Sequence, residues 1–400
     1  MTNLSNLSPA SPLTAVVVSA DPMVVISAQA AMRLHAEVWN VLSVDSEERA
    51  IDLLNKLERV DIFIVYGDGS GMAATVLERV RYFAPHTVRI ALSDRANAAV
   101  MPQLAAIAHQ ILPMPLDAEV LGDLVGRMRS VTRSELCDPV RTLVGQAERL
   151  PSPPKMFQRL NEMLATDDWR VEDLAAEIET DAALTSELLK LVNSSFYGSG
   201  SRVRSVTRAI SLIGIKLTRF IVLGNQLFVS SGGFDTWIDL ERVATRSNAV
   251  ARGARALAAR EQASDDVVSS AYLSGLVSEI GLLVLARIPD IEPSIAAPVN
   301  SSVFLGAERV LFGGDRFEVG AELLALWGFD QDVVDAVARL SSEEPSQPGE
   351  LAWFLSSARQ LIMEHGVDPD ELGHPPRWDA EIDVLIDACR TGAQDAVPAV

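Results

Sequence analysis

The apolar residues of this chain change their spacing once, near residue 130, and that change sets what the chain can fold into. Before it, short apolar runs of strand length alternate with stretches whose apolar residues recur at helical spacing. Thr14-Ala-Val-Val-Val-Ser-Ala20 stops at Asp21-Pro22, Trp39 to Val44 is a second run, and Asp61-Ile-Phe-Ile-Val-Tyr66 is a third. The third ends in the turn-rich Gly67-Asp-Gly-Ser-Gly71. Thr87 to Ser93 is a fourth run, and Gln110 to Met114 a short fifth. Between them, Ala50, Leu53, Leu54 and Leu57 share one face of a helical pattern, and Met72 to Phe83 and Asp117 to Arg129 behave alike. Strands alternating with helices imply βαβ units and a parallel sheet. Five such repeats predict a flavodoxin-like (βα)5 domain, with any ligand site at the carboxyl ends of its strands.

After residue 130 β-alternation disappears. Residues 131–150 read as a connecting helix, closed by the boundary Leu150-Pro-Ser-Pro-Pro154. An all-helical core is expected over 151–340, with one continuous helix over 265–287. Past the polar break Ser341-Ser-Glu-Glu-Pro-Ser-Gln-Pro348, further helices in 349–395 are expected to pack on that core. Residues 1–13 read as a disordered lead-in and 14–130 as the α/β domain.

Composition narrows the function classes. Hydrophobic residues make up 48% of the 400, enough for real cores. Of the net charge of −20, residues 1–130 hold 14 acidic and 10 basic side chains, and the rest hold 40 and 24. That field opposes docking on nucleic acid or anionic lipid, so neither direct nucleic-acid binding nor membrane association is expected. No apolar run approaches the roughly 20 residues of a membrane span. The opening MTNLSNLSPASPLT lacks the positive region of a signal peptide. Cys137 and Cys389 stand alone, which suits a reducing, cytoplasmic location.

The first domain resembles the receiver domain of two-component response regulators. The likeness rests on its strand order, on Asp21-Pro22 after the first strand, on the Asp61 to Met72 run, and on Leu112-Pro-Met-Pro-Leu-Asp117. The resemblance implies two acidic residues after strand one to hold Mg²⁺, an acceptor Asp ending strand three, a Ser or Thr ending strand four, and a Lys before the Pro after strand five. A carboxylate nucleophile among like charges needs that cation. Here the acidic pair falls on Ser19 and Ala20, with only Asp21 beside them, the acceptor on Tyr66 and the lysine on Met114. Ser93 alone keeps the family's residue type. Asp68 reads as a turn residue among glycines, or alternatively as a displaced acceptor. The expectation is a pseudo-receiver that is not phosphorylated.

Residues from about 144 to 340 resemble the HDOD domain, a relative of the HD phosphohydrolases without their metal site. Leu150-Pro-Ser-Pro-Pro, Ile178-Glu-Thr-Asp-Ala-Ala-Leu-Thr185 and Leu188-Leu-Lys-Leu-Val-Asn-Ser-Ser-Phe-Tyr-Gly198 carry the likeness. Ala209-Ile-Ser-Leu-Ile-Gly214 and Gly320-Ala-Glu-Leu-Leu-Ala-Leu-Trp327 extend it, in the expected order. An HD hydrolase needs several histidines and an aspartate for its ions. The five histidines are His35, His86, His109, His365 and His374, with none between 110 and 364. The His-Asp pair of that superfamily falls on Ser278 and Glu279, and another histidine position on Arg316. No metal, cofactor or catalytic residue is expected.

Function then falls to surfaces. Arg202, Arg204, Arg208, Lys216 and Arg219 occur within 202–219 without an acidic residue. They form either a docking or ligand patch, for an acidic protein or a cyclic dinucleotide, or a set paired with the domain's own carboxylates. Asn193, Ser194 and Ser195 are expected to tie helix ends. The resulting expectation is a non-catalytic regulator that binds signalling proteins such as a kinase or a cyclic-di-GMP enzyme, and possible homodimerisation is part of it. Direct nucleotide binding by the helical domain is the alternative.

Overall fold

The computed structural model describes residues 13–34, 39–57, 59–67, 71–93, 103–104, 107–132, 136, 138–147, 150, 159–160, 163, 170–193, 202–230, 238–288, 302–342 and 346–363. Two compact units emerge, one built on residues 1–133 and the other on most of 134–400.

In the first unit, β1 (Leu13–Val18), β2 (Trp39–Val44), β3 (Ile62–Gly67), β4 (Val88–Ser93) and β5 (Gln110–Pro113) form one parallel sheet in the order β2-β1-β3-β4-β5. This is the flavodoxin-like order that the alternating runs imply. Every residue of β4 is buried, as is β3 except Tyr66. Near-continuous Val, Ile and Leu runs suit strands covered on both faces. Leu13 opens β1 and is buried, so the lead-in expected over 1–13 is one residue too long. Helices α1 (Pro22–Met32), α2 (Glu47–Lys56), α3 (Met72–Phe83) and α4 (Ala118–Thr132) flank the strands. Ser46 caps α2, whose first turn carries Glu47 and Glu48 and whose last carries Lys56, each charge opposed to the helix dipole.

The connecting helix expected over 131–150 is not what forms. α4 runs on to Thr132, and a separate α5 (Asp138–Gly145) belongs to the second unit. Its amphipathic DPVRTLVG buries Val140 and Val144, and that apolar face docks it inside the second unit.

The second unit is helical throughout its described residues. It contains α6 (Val171–Ile178), α7 (Ala182–Asn193), α8 (Val206–Ser230), α9 (Leu240–Arg260), α10 (Asp265–Val277) and α11 (Ile280–Leu285). Then follow α12 (Ser302–Phe312), α13 (Arg316–Leu326), α14 (Gln331–Arg339) and α15 (Leu351–Met363). Helix α8 breaks at Gly214, whose φ of 77° and ψ of 160° suit glycine alone. Helix α9 lies along α10 and α15. Ala254, Leu257, Ala258, Ala271, Trp353, Phe354, Ala358 and Leu361 close that core. The second of the helices expected beyond 349, at 378–393, lies outside the described residues.

The single helix expected over 265–287 is two. It breaks at Ser278–Glu279, where the Ser278 hydroxyl turns back to donate to the Gly275 carbonyl, 2.7 Å away. The stretch Asp265–Leu285 is nevertheless long and apolar enough to cross a membrane by length and composition, contrary to the expectation that no run approaches that size. In the fold 78% of its apolar window is buried. Its apolarity serves the core.

Candidate functional site

Parallel pairing carries the residues at the positions that the receiver resemblance assigns to phosphorylation to one edge of the sheet. Gly67 pairs with Ser93 and Ser93 with Pro113, so the ends of β3, β4 and β5 are level, and Ser19 follows β1. Ser19, Ala20, Asp21, Tyr66, Ser93 and Met114 therefore gather at the carboxyl ends of the strands, where the doubly wound fold places ligands. What each does there is structural. The Ser19 amide donates to the Val44 carbonyl at 2.9 Å, and its hydroxyl oxygen accepts from the Asp21 amide at 3.1 Å. Ala20 is exposed. Asp21, the one carboxylate left beside the acidic-pair position, is the N-cap of α1 and accepts from the Met23 amide at 2.8 Å, with Pro22 in the first turn. Tyr66 and Met114 are half-buried, and Ser93 is fully buried with its carbonyl accepting from the Met114 amide at 3.2 Å. A hydroxyl at Ser19, a methyl at Ala20 and a phenol at Tyr66 do not fit the Mg²⁺ site of a receiver, which calls for hard carboxylate oxygens. Asp68 lies outside the described residues.

The second position of interest is Ser278–Glu279, which the resemblance aligns with the His-Asp pair of HD hydrolases. Ser278 is buried and bonded within its own turn. Glu279 is buried among three guanidinium groups. From α9, Arg246 Nη2 reaches its Oε2 at 2.8 Å. From α15, Arg359 Nη1 reaches its Oε1 at 2.6 Å. From α13, Arg316 Nη1 lies 3.6 Å from Oε2. Burial alone would push the Glu279 carboxyl up. The three guanidiniums outweigh it, Arg359 foremost, and hold the carboxyl at about 2. Arg316 also binds the buried Glu308 of α12, through Nε at 2.8 Å, through Nη2, and through its backbone amide at 2.9 Å. Burial works against the Arg316 charge, but Glu279 and Glu308 keep its pKa above the ordinary value. Arg359 in addition lies over the Phe317 ring, 4.8 Å from its centre.

Backbone packing makes this network possible. Gly281 on α11 faces the Arg316 backbone and Gly320 on α13 so closely that a Cβ at 281 would overlap the Arg316 carbonyl. Next to the network, Asp315 caps α13 in a reciprocal box with Glu318, and Arg309 binds it at 2.7 Å. Three cations around one carboxylate do not fit a divalent ion, because the ion would meet their charge before it met the ligand. Among the described residues, no group of three or more His, Cys, Asp or Glu side chains is arranged to hold a metal. Arg246, Glu308 and Arg359 are the members of this cluster that sequence reasoning missed.

The arginine patch resolves into two parts. Arg202 Nε lies 2.9 Å and Arg204 Nε 2.7 Å from the two oxygens of Asp330, and Arg204 also reaches Asp266 at 3.5 Å. Both are spent within the domain, so an open five-residue patch is not what forms. Arg208 is exposed. The side chains of Lys216 and Arg219 lie outside the described residues. The Asn193 amide both donates to the Val203 carbonyl, at 2.8 Å, and accepts from the Val203 amide, at 2.7 Å. Asn193 thus ties α7 to the chain entering α8, as expected of it. Ser194 and Ser195 lie outside the described residues.

A receiver-like α/β unit followed by a helical unit built around these motifs defines a class of signalling protein. Residues 150–342 match the HDOD domain, and the chain carries that domain there. Among solved structures, it is similar to the MmoQ response regulator of Methylococcus capsulatus str. Bath, with 25% identity and a TM-score of 0.50 over 60% of this chain and 98% of that one. An HDOD domain protein of Geobacter sulfurreducens matches with 20% identity and a TM-score of 0.34, over 64% and 88% of the two chains. An uncharacterised protein of Treponema pallidum (strain Nichols) is 23% identical over 226 residues, 54% of this chain and 42% of that protein. The chain thus spans less than half the length of that relative.

Proposed function

We propose that the protein is a non-catalytic regulator of cytoplasmic signal transduction, in which the HDOD domain binds partner proteins and the receiver-like unit works without phosphorylation. The observation that carries this reading is the filled position at Glu279. Where an HD hydrolase gathers imidazoles and carboxylates on a metal, this chain packs Arg246, Arg316 and Arg359 around the buried Glu279, with Arg316 shared with the buried Glu308. In the receiver-like unit, Asp21 is committed to capping α1, which supports the same conclusion. A chain without either chemistry switches by binding, and a kinase or a cyclic-di-GMP enzyme is the kind of partner a two-component context supplies. Direct nucleotide binding draws less support, since Arg202 and Arg204 already neutralise Asp330.

The test is a hydrolysis assay of the full chain on phosphomonoester and cyclic-dinucleotide substrates with added Mn²⁺ or Fe²⁺. The expected result is no turnover. Metal-dependent hydrolysis that disappears in Glu279→Gln would overturn the reading. Calorimetry with cyclic-di-GMP addresses the alternative: heat of binding that is lost in Arg208→Glu would favour a nucleotide effector.

A further inference from the structure

Helices α1 and α4 pack side by side on the sheet, closely enough that a Cβ on Gly122 would come within 2.7 Å of the Leu34 side chain. The outer face of the pair is apolar where a surface helix is ordinarily polar. Met23 is 62% exposed, Ile26 54%, Leu34 60% and Val120 39%. Helix α1, PMVVISAQAAM, contains no charged residue at all. Met23, Ile26 and the exposed Ala30 recur at three- and four-residue spacing, on one side of it. At the edge of this face stand one exposed cation, Arg33, and two exposed carboxylates a turn apart, Glu119 and Asp123. No ion pair joins any of the three side chains to another described residue.

We propose that the α1–α4 face is a contact between two copies of this chain, related by a two-fold axis. A two-fold contact uses the same patch on both sides, so the patch must complement itself. This one does: its apolar centre meets its own image, while Arg33 of each copy faces the Glu119–Asp123 pair of the other. Charge also selects the location. Two chains of net charge −20 repel, and a charge-free helix flanked by an unpaired cation minimises that cost. The face is modest. Helices of 11 and 15 residues side by side offer on the order of 400 Å², below the roughly 800 Å² per partner of a standard stable interface. The dimer is therefore reversible. This inference goes beyond the function proposed above and does not depend on it: hydrolysis assays test that reading, and mass measurements test this one.

Sedimentation equilibrium of the full chain over a wide concentration range is the experiment. A concentration-dependent dimer is expected, with a Kd raised at least tenfold by Ile26→Glu. Arg33→Glu is expected to weaken it as well, and the triple change Arg33→Glu, Glu119→Arg, Asp123→Arg to recover it. Both single changes are at exposed sites, and circular dichroism checks that they fold; should Ile26→Glu unfold the unit, the charge exchange decides alone. A chain that stays monomeric throughout overturns the proposal. So does a dimer indifferent to Ile26→Glu and Arg33→Glu, or a charge-exchanged triple that fails to recover association.

Discussion

Arg359 Nη1 lies 2.6 Å from Glu279 Oε1, although the two residues are 80 positions apart in the chain. This contact joins α15 to the turn between α10 and α11. Together with Arg246 and Arg316 it makes Glu279 the single anion on which three helices converge. Removing one partner of a buried ion pair leaves an uncompensated charge, typically at about 3–5 kcal/mol. Glu279→Gln, which keeps shape and loses only charge, is expected to destabilise the second unit by about that amount. Urea unfolding followed through the buried Trp327 and Trp353 reads it directly. A loss below about 1 kcal/mol would show that the guanidiniums find other partners.

The same carboxylate sets an acid limit. Its folded-state pKa of about 2 lies below the ordinary 4.5. The unfolded chain therefore takes up this proton at higher pH than the folded one, and acid favours unfolding. The contribution is whole above about pH 4.5 and is lost as pH falls towards about 2. Stability of the second unit should fall across this window, by an amount on the order of 3 kcal/mol from this group. In Glu279→Gln the slope there should be shallower. Parallel slopes in the two proteins would assign the acid sensitivity elsewhere.

Asp21 offers a separate check on the receiver-like unit. As the N-cap of α1 it satisfies the Met23 amide, and loss of such a cap costs typically about 1 kcal/mol. Asp21→Ala should lower the stability of the first unit by about that much. Acetyl phosphate with Mg²⁺ should leave the intact mass of the wild type and of Asp21→Ala unchanged. A phosphoryl adduct on the wild type that Asp21→Ala abolishes would restore a catalytic role to this residue.

How far the sequence reveals these arrangements depends on how local the signal is. The sheet order follows from strand runs and helical patterns a few residues long, and it positions Ser19, Tyr66, Ser93 and Met114 correctly at one edge. Helix α1 escapes the same reading because Met23 and Ile26 point outward, so PMVVISAQAAM shows no apolar face opposed to a polar one. Glu279 is singled out by the HD resemblance, but its role is not legible, because Arg246 lies 33 residues before it and Arg359 80 after. Charge counting over 202–219 leaves the open and the internally paired readings undecided for the same reason. The carboxylate that neutralises Arg204 is Asp330, 126 positions away, and no local window contains both.

The crossing of α11 and α13 provides the last prediction. Gly281 sits against the Arg316 backbone and Gly320 with no room for a side chain, since a Cβ there would overlap the Arg316 carbonyl. Backbone cannot step aside as a flexible side chain can, so Gly281→Ala must push the two helices apart. Overpacking of this kind costs typically about 1–3 kcal/mol. Here the displacement also moves Arg316 away from Glu279, two residues before the glycine, and so weakens the ion network. The expected loss is at or above the top of that range, although alanine ordinarily favours a helix over glycine. Combining Gly281→Ala with Glu279→Gln should give less than the sum of the two separate losses, because both act through the same contact. Strict additivity in urea unfolding would show that the helix crossing and the buried network are independent.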